Sequence, residues 1–562
     1  MTRSLLLAAV LVFVAPAAWA QWSTDPMTNL TIADRPAGQV QPKVVSSPFG
    51  GVTDFYVSWF GGGADGYDVY LQRLDYFGVA QWADDGIRVA DRDYSSTQDY
   101  GLATNGSDAF LAFRVDVGGT DQVGVRRIAS DGTSVWGDLV ATADPDGANS
   151  PQVAAMPDGG AVIAWTSGSG ALRLQRLDAS AAPLWGADGV AITPPSGTFF
   201  VGGLISHPDG SVVVSGQAQL SFQSRQLWAQ KFDAAGTPLW GDDPVAVWDG
   251  TGGALQFGYF PGPISDENGG AVFAWYAVSG VAGAQVYVQH VRADGTQAFA
   301  ANGLEVATTN RPRFAPDALY NISTGEIYVA WPEESPDLPR LFGVSAQRIT
   351  SAGNRLWGDS GLTLAPLGPD QTSQVRTASL ALFDAFVVGW ATGSTPAPMT
   401  LTAAGIQPDG TPRWPSVDFK TASSSVSRMQ AGGSDYLTAF VWSDGESPDI
   451  IKAQSVTFAG TLGDPPPPPS TEPDPRALAS LRAAPNPVGD GTTIRVAMAE
   501  AAHVRLDVLD ALGRHVATLA DGPLAAGDHA LAWDASGLAP GVYMARLTSG
   551  DRHVTLRFAV GR

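Results

Sequence analysis

Residues 157–185 read Pro-Asp-Gly-Gly-Ala-Val-Ile-Ala-Trp-Thr-Ser-Gly-Ser-Gly-Ala-Leu-Arg-Leu-Gln-Arg-Leu-Asp-Ala-Ser-Ala-Ala-Pro-Leu-Trp. The stretch holds a turn signal, an apolar run that ends at Trp165, a second run that contains Gln175, and another turn before Trp185. Side chains alternate between the two faces of a strand, and in the first run both alternating sets are apolar. Both faces of this strand are therefore expected to be covered, unlike those of a strand in a half-solvated sheet.

The same unit recurs along residues 21–463, with Gln or a substitute in the second run and an aromatic ten residues later. The eight pairs are Gln72 and Trp82, Arg126 and Trp136, Gln175 and Trp185, Gln230 and Trp240, Gln289 and Phe299, Gln347 and Trp357, Ala404 and Trp414, and Gln454 and Asp464. The apolar run upstream ends, in the same order, at Trp59, Phe113, Trp165, Gly216, Trp275, Trp331, Trp390 and Phe440. The two series share a spacing of about 54 residues, which indicates an internal repeat.

A unit of about 54 residues has room for four short strands but cannot cover both of its apolar faces alone. Sheets packed radially against their neighbours supply that cover. The sequence therefore predicts an all-β fold, with an eight-bladed β-propeller over residues 21–463 whose first unit can begin at Trp22. Seven blades are the alternative, because Gly216 replaces one strand aromatic and Asp464 replaces one turn aromatic.

The repeated side chains are predicted to be structural. A Gln that recurs in six of eight units can bond backbone groups with its amide and satisfy polar atoms between adjacent sheets. The Trp series is predicted to pack one unit against the next, although a Trp on a rim could also stack on a sugar.

Composition excludes several classes of function. The 562 residues include 33 Lys and Arg against 55 Asp and Glu, a net charge of −22, so nucleic acid is a poor partner. There is no cysteine, which excludes disulfides, thiolate metal sites and cysteine nucleophiles.

The N-terminus reads as a signal peptide over residues 1–20. Arg3 precedes an apolar run, and Ala18-Trp19-Ala20 provides small residues at the two positions that a signal peptidase reads. The run is shorter than the roughly 20 residues that span a bilayer, which favours Sec-dependent export to the periplasm over a membrane anchor. No later apolar stretch reaches spanning length, so we expect no transmembrane segment in the mature chain.

A proline-rich stretch over residues 464–475 separates the repeats from the C-terminal module. Consecutive prolines favour an extended polyproline conformation, which predicts a stiff linker. Residues 476–562 then show five short alternating strands, at 493–497, 504–509, 529–533, 542–547 and 554–560, which predict a small β-sandwich.

Four segments of this module, 484–487, 506–516, 527–534 and 539–547, resemble in order the FlgD-type Ig-like domains and the type IX secretion C-terminal sorting domains. The matching motif residues are Pro485, Asn486, Pro487, Gly513, Arg514, Trp533, Asp534, Gly541 and Tyr543. The resemblance implies an Ig-like fold and recognition by the type IX secretion machinery of the outer membrane. It also implies that the module is usually removed and that the protein is released or held at the cell surface.

Evidence for catalysis is sparse. The repeat region has only His207 and His290, neither of them in a metal-ligand or triad spacing, and the sequence predicts no cofactor or metal site. The acidic pairs Asp84-Asp85, Asp242-Asp243 and Glu333-Glu334 read as solvated charges in turns. The leading hypothesis is a non-catalytic surface or secreted propeller that binds a glycan or protein. The alternative is a secreted carbohydrate-active enzyme that uses carboxylates on the propeller face.

Overall fold

The computed structural model describes residues 22–463, apart from 50–51, 64, 95–99, 194–196, 222–223, 257, 280–282, 381–384, 395–396, 422 and 435. It also describes residues 479–560, apart from 485–490, 499–500, 511–513, 526, 539–540 and 550–551. The predicted signal peptide and proline-rich linker lie outside these residues. The described parts of the chain contain β-strands and no helix.

Eight antiparallel sheets succeed one another along residues 30–457. Sheet 1 contains β2 (Gln39–Phe49), β3 (Val52–Gly62), β4 (Tyr67–Leu74) and β5 (Ile87–Tyr94). Sheet 2 contains β6 (Gly101–Thr104), β7 (Ala109–Val117), β8 (Thr120–Ile128) and β9 (Leu139–Val140). Sheet 3 contains β10 (Ala148–Ala155), β11 (Ala161–Ser167), β12 (Leu172–Leu177) and β13 (Val190–Ile192). Sheet 4 contains β14 (Thr198–Ser206), β15 (Val212–Ser221), β16 (Ser224–Phe232) and β17 (Val245–Trp248).

The second half of the ring follows the same plan. Sheet 5 contains β18 (Ala254–Leu255), β19 (Ile264–Ser265), β20 (Ala271–Ser279), β21 (Gly283–Val291) and β22 (Leu304–Glu305). Sheet 6 contains β23 (Asp317–Asn321), β24 (Glu326–Glu334), β25 (Phe342–Ile349) and β26 (Leu362–Gly368). Sheet 7 contains β27 (Thr372–Leu380), β28 (Ala385–Thr392), β29 (Thr400–Ile406) and β30 (Pro412–Lys420). Sheet 8 contains β31 (Val426–Gly433), β32 (Leu437–Asp444), β33 (Ile450–Thr457) and, beside β33, the N-terminal β1 (Leu30–Ala33).

The sheets form a propeller-like ring. The first strand of each sheet contacts the first strand of the next, with β19 serving for sheet 5, and β31 of sheet 8 contacts β2 of sheet 1. In sheets 1–7 the connections from the first strand to the second and from the third strand to the fourth lie at one end of the sheet, which we call the turn end. The other connections lie at the opposite end, which we call the loop end.

The aromatic ten residues after the Gln position packs one unit against the next, as the sequence predicted. Trp185 lies over Gly236 of the following turn, and its indole nitrogen donates to the carbonyl oxygen of Ala234 at 3.0 Å. Equivalent bonds run from Trp82 to Ser130, Trp136 to Ala179, Trp240 to Ala293 and Trp357 to Pro408.

The N-terminal segment supplies the aromatic that the eighth unit lacks. Trp22 is only 2% exposed, lies over Gly78 of the first unit and donates to the carbonyl oxygen of Tyr76 at 3.1 Å. The carbonyl of Ser23 accepts from Nε2 of Gln454 at 3.0 Å. Residues 22–33 therefore complete the last unit, and the expectation that Trp22 begins the first unit is wrong.

The recurrent Gln satisfies backbone groups, mostly within its own unit. Nε2 of Gln175 donates to the carbonyl of Gly186 at 2.7 Å, and its Oε1 accepts from the backbone nitrogens of Arg176 and Trp185. Gln72, Gln230, Gln289 and Gln347 form the same set of bonds. The amide thus holds the loop that follows its strand, whereas the sequence suggested a bridge between adjacent sheets.

Strand register corrects the eighth strand aromatic. In the other units the residue opposite the Gln position lies two residues before the strand aromatic, as Val57 lies opposite Gln72 and before Trp59. In sheet 8 the residue opposite Gln454 is Phe440, so the equivalent aromatic is Trp442. Sheet 4 has Gly216 at this position, and Trp228 of the neighbouring strand lies opposite it.

The C-terminal module consists of two sheets around one core. One sheet contains β34 (Ala479–Ala484), β35 (Gly491–Met498) and β38 (Gly527–Asp534). The other contains β36 (Ala502–Asp510), β37 (His515–Leu524), β39 (Gly541–Ser549) and β40 (Arg552–Val560). Ile494, Val508 and Leu547 are among the buried residues between them. The sequence predicted five of these seven strands and missed β34 and β37.

Among the described residues, none forms a helix with the length and apolar character needed to cross a bilayer.

Candidate binding site in the central channel

Repeated ion pairs occupy the turn end of the ring. In six units the residue after the Gln position is Arg, Lys or His, and it contacts an acid near the first turn of its own sheet. The pairs are Arg73 with Asp54, Arg127 with Asp108, Arg176 with Asp158, Lys231 with Asp209, His290 with Asp266, and Arg348 with Glu326. The four arginines also donate to a carbonyl of the next unit. Because this arrangement repeats, its role is to join units.

Both histidines of the repeat region lie at this turn end. His290 contacts Asp266 at 2.8 Å between Nε2 and Oδ2. His207 is 2% exposed and occupies the turn position that Met156 occupies in sheet 3, since both backbone nitrogens donate to the residue four positions later. Burial, and then the positive charge of Lys231, lower the pKa of His207. Neither histidine reaches the loop end.

The acidic pairs singled out in the sequence do not form one site. Asp85 lies in a turn with a φ of 61°, and Asp242 and Asp243 are also in a turn. Glu333 differs from the expectation of a solvated turn residue, because it lies in β24, is 2% exposed and accepts from Arg311 at 2.6 Å. Its charge is therefore already compensated by a structural ion pair.

The strands that line the central channel share a distinctive irregularity near the loop end. Four of them contain a non-glycine residue with positive φ, namely Gln41, Ser150, Gln374 and Arg428, and Ala315 has a positive φ two residues before β23. The residue two positions after each of these lies on the first strand of its sheet. It is paired with the residue of the second strand that directly precedes the strand aromatic. These five residues are Lys43, Gln152, Asp317, Arg376 and Gln430. Glycine occupies this level in sheets 2 and 4, as Gly101 and Gly203.

These five side chains border open space. Each is only partly buried, whereas their strand partners such as Ser58, Ala164 and Ala330 are fully buried. The first strand of each sheet is the innermost one. Because these residues remain accessible while their partners on the second strand are buried, we infer that their side chains face the axis of the ring. The level therefore forms part of the channel wall, and its side chains differ from sheet to sheet.

Charge breaks the symmetry of this wall. Arg376 of sheet 7 and Lys43 of sheet 1 lie at this level, and the exposed Arg428 of sheet 8, between them, lies two residues before it. The strands β27, β31 and β2 contain no Asp or Glu. Gln374 ties sheets 7 and 8 together here, because its Nε2 donates to the carbonyl of Val426 and its Oε1 accepts from the nitrogen of Met429. Arg376 and Arg428 therefore flank a fixed junction.

Asp317 is the carboxylate at this level of the described channel wall. Its Oδ2 accepts from the backbone nitrogen of Thr377 at 2.7 Å and from its hydroxyl at 2.9 Å, which joins sheet 6 to sheet 7. Burial raises the pKa of Asp317, and the positive charge of Arg376 opposes that effect.

Sheet 5 adds an aromatic segment that the other sheets lack. Its first strand is split into β18 and β19, and the described residues between them, 256 and 258–263, lie outside the sheet. Ser215 and Gln217 of sheet 4 donate to the carbonyls of Pro261 and Tyr259, at 3.0 and 2.9 Å. A Cβ at Gly202 would lie 2.7 Å from the carbonyl oxygen of Pro261, so glycine permits this close approach.

The aromatic rings of this segment extend towards sheet 6. Tyr259 packs on Tyr276 with ring centroids 4.6 Å apart, and Tyr276 in turn lies 6.1 Å from Phe314. Phe260 packs on Phe200 yet remains 39% exposed.

Tyr259, Asp317 and Arg376 influence one another electrostatically although they come from three successive sheets. Burial raises the pKa of Tyr259, and the neighbouring Tyr276 and Asp317 add to that effect while Arg376 opposes it. We call the six residues Tyr259, Phe260, Asp317, Arg376, Arg428 and Lys43 the channel site.

The channel site combines ring faces with charged hydrogen-bonding groups. Aromatic faces pack on apolar surfaces, a carboxylate accepts hydrogen bonds from hydroxyl groups, and a guanidinium binds planar anions through two parallel bonds. Glycoside cleavage by paired carboxylates needs a second carboxyl group within roughly 5–9.5 Å of the first. The described channel wall offers one carboxylate at this level, that of Asp317.

None of the channel-site residues was singled out from the sequence. The signal was present in the segments Gln41-Pro42-Lys43, Ser150-Pro151-Gln152 and Ala315-Pro316-Asp317, which share a proline and end at the same structural position. Alignment of the units on this proline would have exposed the charge differences, but it is missing in sheets 7 and 8.

The described residues of the sorting motif mainly stabilise their own module. Trp533 and Tyr543 are buried in its core with ring centroids 6.4 Å apart. Asp534 accepts from the backbone nitrogen of Ser536 in a turn, Gly541 begins β39, and Arg514 is exposed. Pro485, Asn486, Pro487 and Gly513 lie outside the described residues.

Comparison with known proteins identifies the C-terminal module. Residues 483–561 match the family described as the secretion system C-terminal sorting domain. The chain carries a type IX secretion sorting domain. Such a domain points to export and to a location at the cell surface or outside the cell. No curated protein matches the sequence.

Several solved structures are similar to this chain at low identity and low TM-score. PorZ, an essential surface component of the type IX secretion system of Porphyromonas gingivalis, is 12% identical with a TM-score of 0.33, over 93% of this chain and 70% of that chain. The Dos1 propeller is 12% identical with a TM-score of 0.43, over 78% of this chain and 96% of that chain. Dipeptidyl peptidase 4 of Porphyromonas gingivalis is 9% identical with a TM-score of 0.37, over 72% and 65%. These similarities carry no argument about activity.

Proposed function

We propose that this protein is an exported, non-catalytic eight-bladed β-propeller that binds a glycan at the loop end of its channel, followed by an Ig-like module that directs it through the type IX secretion machinery. The eight sheets and the contact between the first and last of them favour eight blades over seven. The observation that carries the binding function is the channel site, because a purely structural ring has no need of an exposed aromatic segment in one sheet.

Phe260 provides the direct test of glycan binding. Its ring is 39% exposed, and the preceding residue, Tyr259, interacts electrostatically with Asp317 and Arg376, so removal of the Phe260 ring should weaken glycan binding at least tenfold. Wild type, Phe260→Ala and Leu239→Ala should be compared on a glycan array and then by calorimetry. Leu239 is the matched control, since it is 45% exposed but lies at the turn end. Equal losses in both variants, or no glycan bound by wild type, would contradict the proposal.

A carbohydrate-active enzyme is the second candidate, and one observation favours it. Burial raises the pKa of Asp317, which is the direction required of a general acid. If the protein cleaves glycans, Asp317→Asn should abolish the release of reducing ends. Thr377→Val is the control, because it removes a hydrogen bond to Asp317 but keeps the carboxyl group. Wild type that releases no product from any polysaccharide that it binds would eliminate this candidate.

Sorting can be tested independently of ligand binding. A chain truncated after residue 475 should accumulate in the periplasm of a type IX-competent host, whereas the full chain should reach the surface or the medium. Surface delivery of the truncated chain would contradict a sorting role for residues 476–562.

A further inference from the structure

The cations of this protein are distributed unevenly between its two ends. At the turn end, cations pair with carboxylates, as Arg176 does with Asp158 at 2.8 Å. In the channel, neither Arg376 nor Arg428 forms an ion pair with any carboxylate of the described residues. The net charge of the chain is −22, so arginines that form no ion pair are a local exception on this wall, although Asp317 lies close enough to Arg376 for the two charges to interact.

The three cations form a continuous feature of the channel. Arg376, Arg428 and Lys43 lie on sheets 7, 8 and 1, whose first strands contact one another in that order. Nζ of Lys43 lies 5.0 Å from the ring centroid of Tyr100, the residue that precedes β6 of sheet 2. A concave surface lined by one sign of charge attracts ligands of the opposite sign.

On this basis we infer that the glycan bound at the channel site is anionic and carries carboxylate or sulfate groups. This inference rests on the proposed function. The guanidinium groups of Arg376 and Arg428 provide planar forks for such groups, and Tyr259 and Phe260 provide ring faces for the sugar. Asp317, between the tyrosine and Arg376, provides an acceptor for a hydroxyl group. Single-stranded nucleic acid also offers anions and rings, but the acidic surface around a small cationic wall disfavours a polymer with a charge on every residue.

The experiment compares polymers that differ in charge. Polygalacturonate supplies carboxylates and dextran sulfate supplies sulfates, while carboxyl-reduced polygalacturonate and dextran are their neutral counterparts. Full-length protein should bind at least one anionic polymer, at least tenfold more tightly than its neutral counterpart. The affinity should fall as sodium chloride is raised, because salt screens exposed charges.

Two variants connect the preference to the channel. The double variant Arg376→Gln/Arg428→Gln should lose at least tenfold in affinity for the anionic polymer and little for the neutral one. Arg340→Gln is the control, because Arg340 is exposed at the loop end and pairs with Glu334 outside the channel wall. Thermal unfolding of each variant checks that the ring remains folded.

The outcomes separate this inference from the proposed function. Equal binding of charged and neutral glycans, unaffected by the double variant, would overturn the inference and leave glycan binding intact. Absence of binding to every glycan would overturn both. An equal loss of affinity in Arg340→Gln would locate the charge effect outside the channel and overturn the inference. Tighter binding of single-stranded DNA than of any glycan would assign the channel wall to another class of ligand and would also overturn it.

Discussion

Closure of the ring by Trp22 can be tested with a single substitution. The indole of Trp22 is 2% exposed, packs edge-on against Phe55 with centroids 6.4 Å apart and covers Gly78. It also donates the 3.1 Å hydrogen bond to Tyr76. Trp22→Ala removes all these contacts at the junction where the N-terminal segment meets the first and last sheets.

The expected cost follows from burial. Replacement of a buried Trp by Ala costs about 3–5 kcal/mol, and the lost hydrogen bond contributes about 1 kcal/mol of the total effect. Trp136→Ala is the matched control, since Trp136 makes the equivalent bond to Ala179 at 3.0 Å but is more exposed and lies within an uninterrupted stretch of chain. We expect about 4 kcal/mol for Trp22 and about half of that for Trp136.

Urea unfolding followed by tryptophan fluorescence measures both losses, and hydrogen exchange locates them. In Trp22→Ala the amides of Leu30–Ala33 and Ile450–Thr457 should exchange faster, because β1 is held to β33 near the substituted residue. If Trp22→Ala is no more destabilising than Trp136→Ala, or if exchange in these two strands is unchanged, the N-terminal segment does not close the ring.

Two further substitutions test the turn end. Because the pKa of His207 is lowered in the folded protein, the unfolded chain binds a proton more readily, and stability should fall as pH drops below about 6.5. In His207→Met the urea midpoint should therefore change less between pH 7 and pH 5 than in wild type. An unchanged pH profile in this variant would contradict the role of His207. Gly236 has a φ of 85°, and a Cβ there would lie 3.1 Å from the indole of Trp185. Gly252 is the control, since its φ is 86° but a Cβ there would meet no other atom. Gly236→Ala should therefore lower the free energy of unfolding by about 1–2 kcal/mol more than Gly252→Ala. Equal urea midpoints in the two variants would contradict the steric contact with Trp185.

Local pattern explains how much of the fold was predictable. A strand such as Ala161–Ser167 is apolar on both faces, and this property alone requires cover on both sides. The recurrence of that strand indicated an all-β repeat before any pairing was known. The position of the eighth strand aromatic was predicted wrongly because it depends on strand pairing rather than on local sequence. Phe440 and Trp442 both fit the local pattern, and only the register with Gln454 distinguishes them.

The candidate site was beyond such reasoning. Lys43, Asp317 and Arg376 lie in different units, and the proline that directly precedes Lys43 and Asp317 is missing before Arg376. They become a site only because the ring places equivalent positions of successive sheets side by side around one axis. The split strand of sheet 5 depends likewise on Gly202 of the preceding sheet, which admits Pro261.

The sequence by itself determined the type of strand, the length of the unit and the sorting module, because each depends on side chains that are neighbours along the chain. Only the tertiary structure decided how the last unit is completed and which residues share the channel. Asn29 bonds the carbonyl of Phe419 across 390 residues, and Ser23 accepts from Gln454 across 431. Such contacts form only when the chain ends of the ring meet, so no local pattern of residues records them.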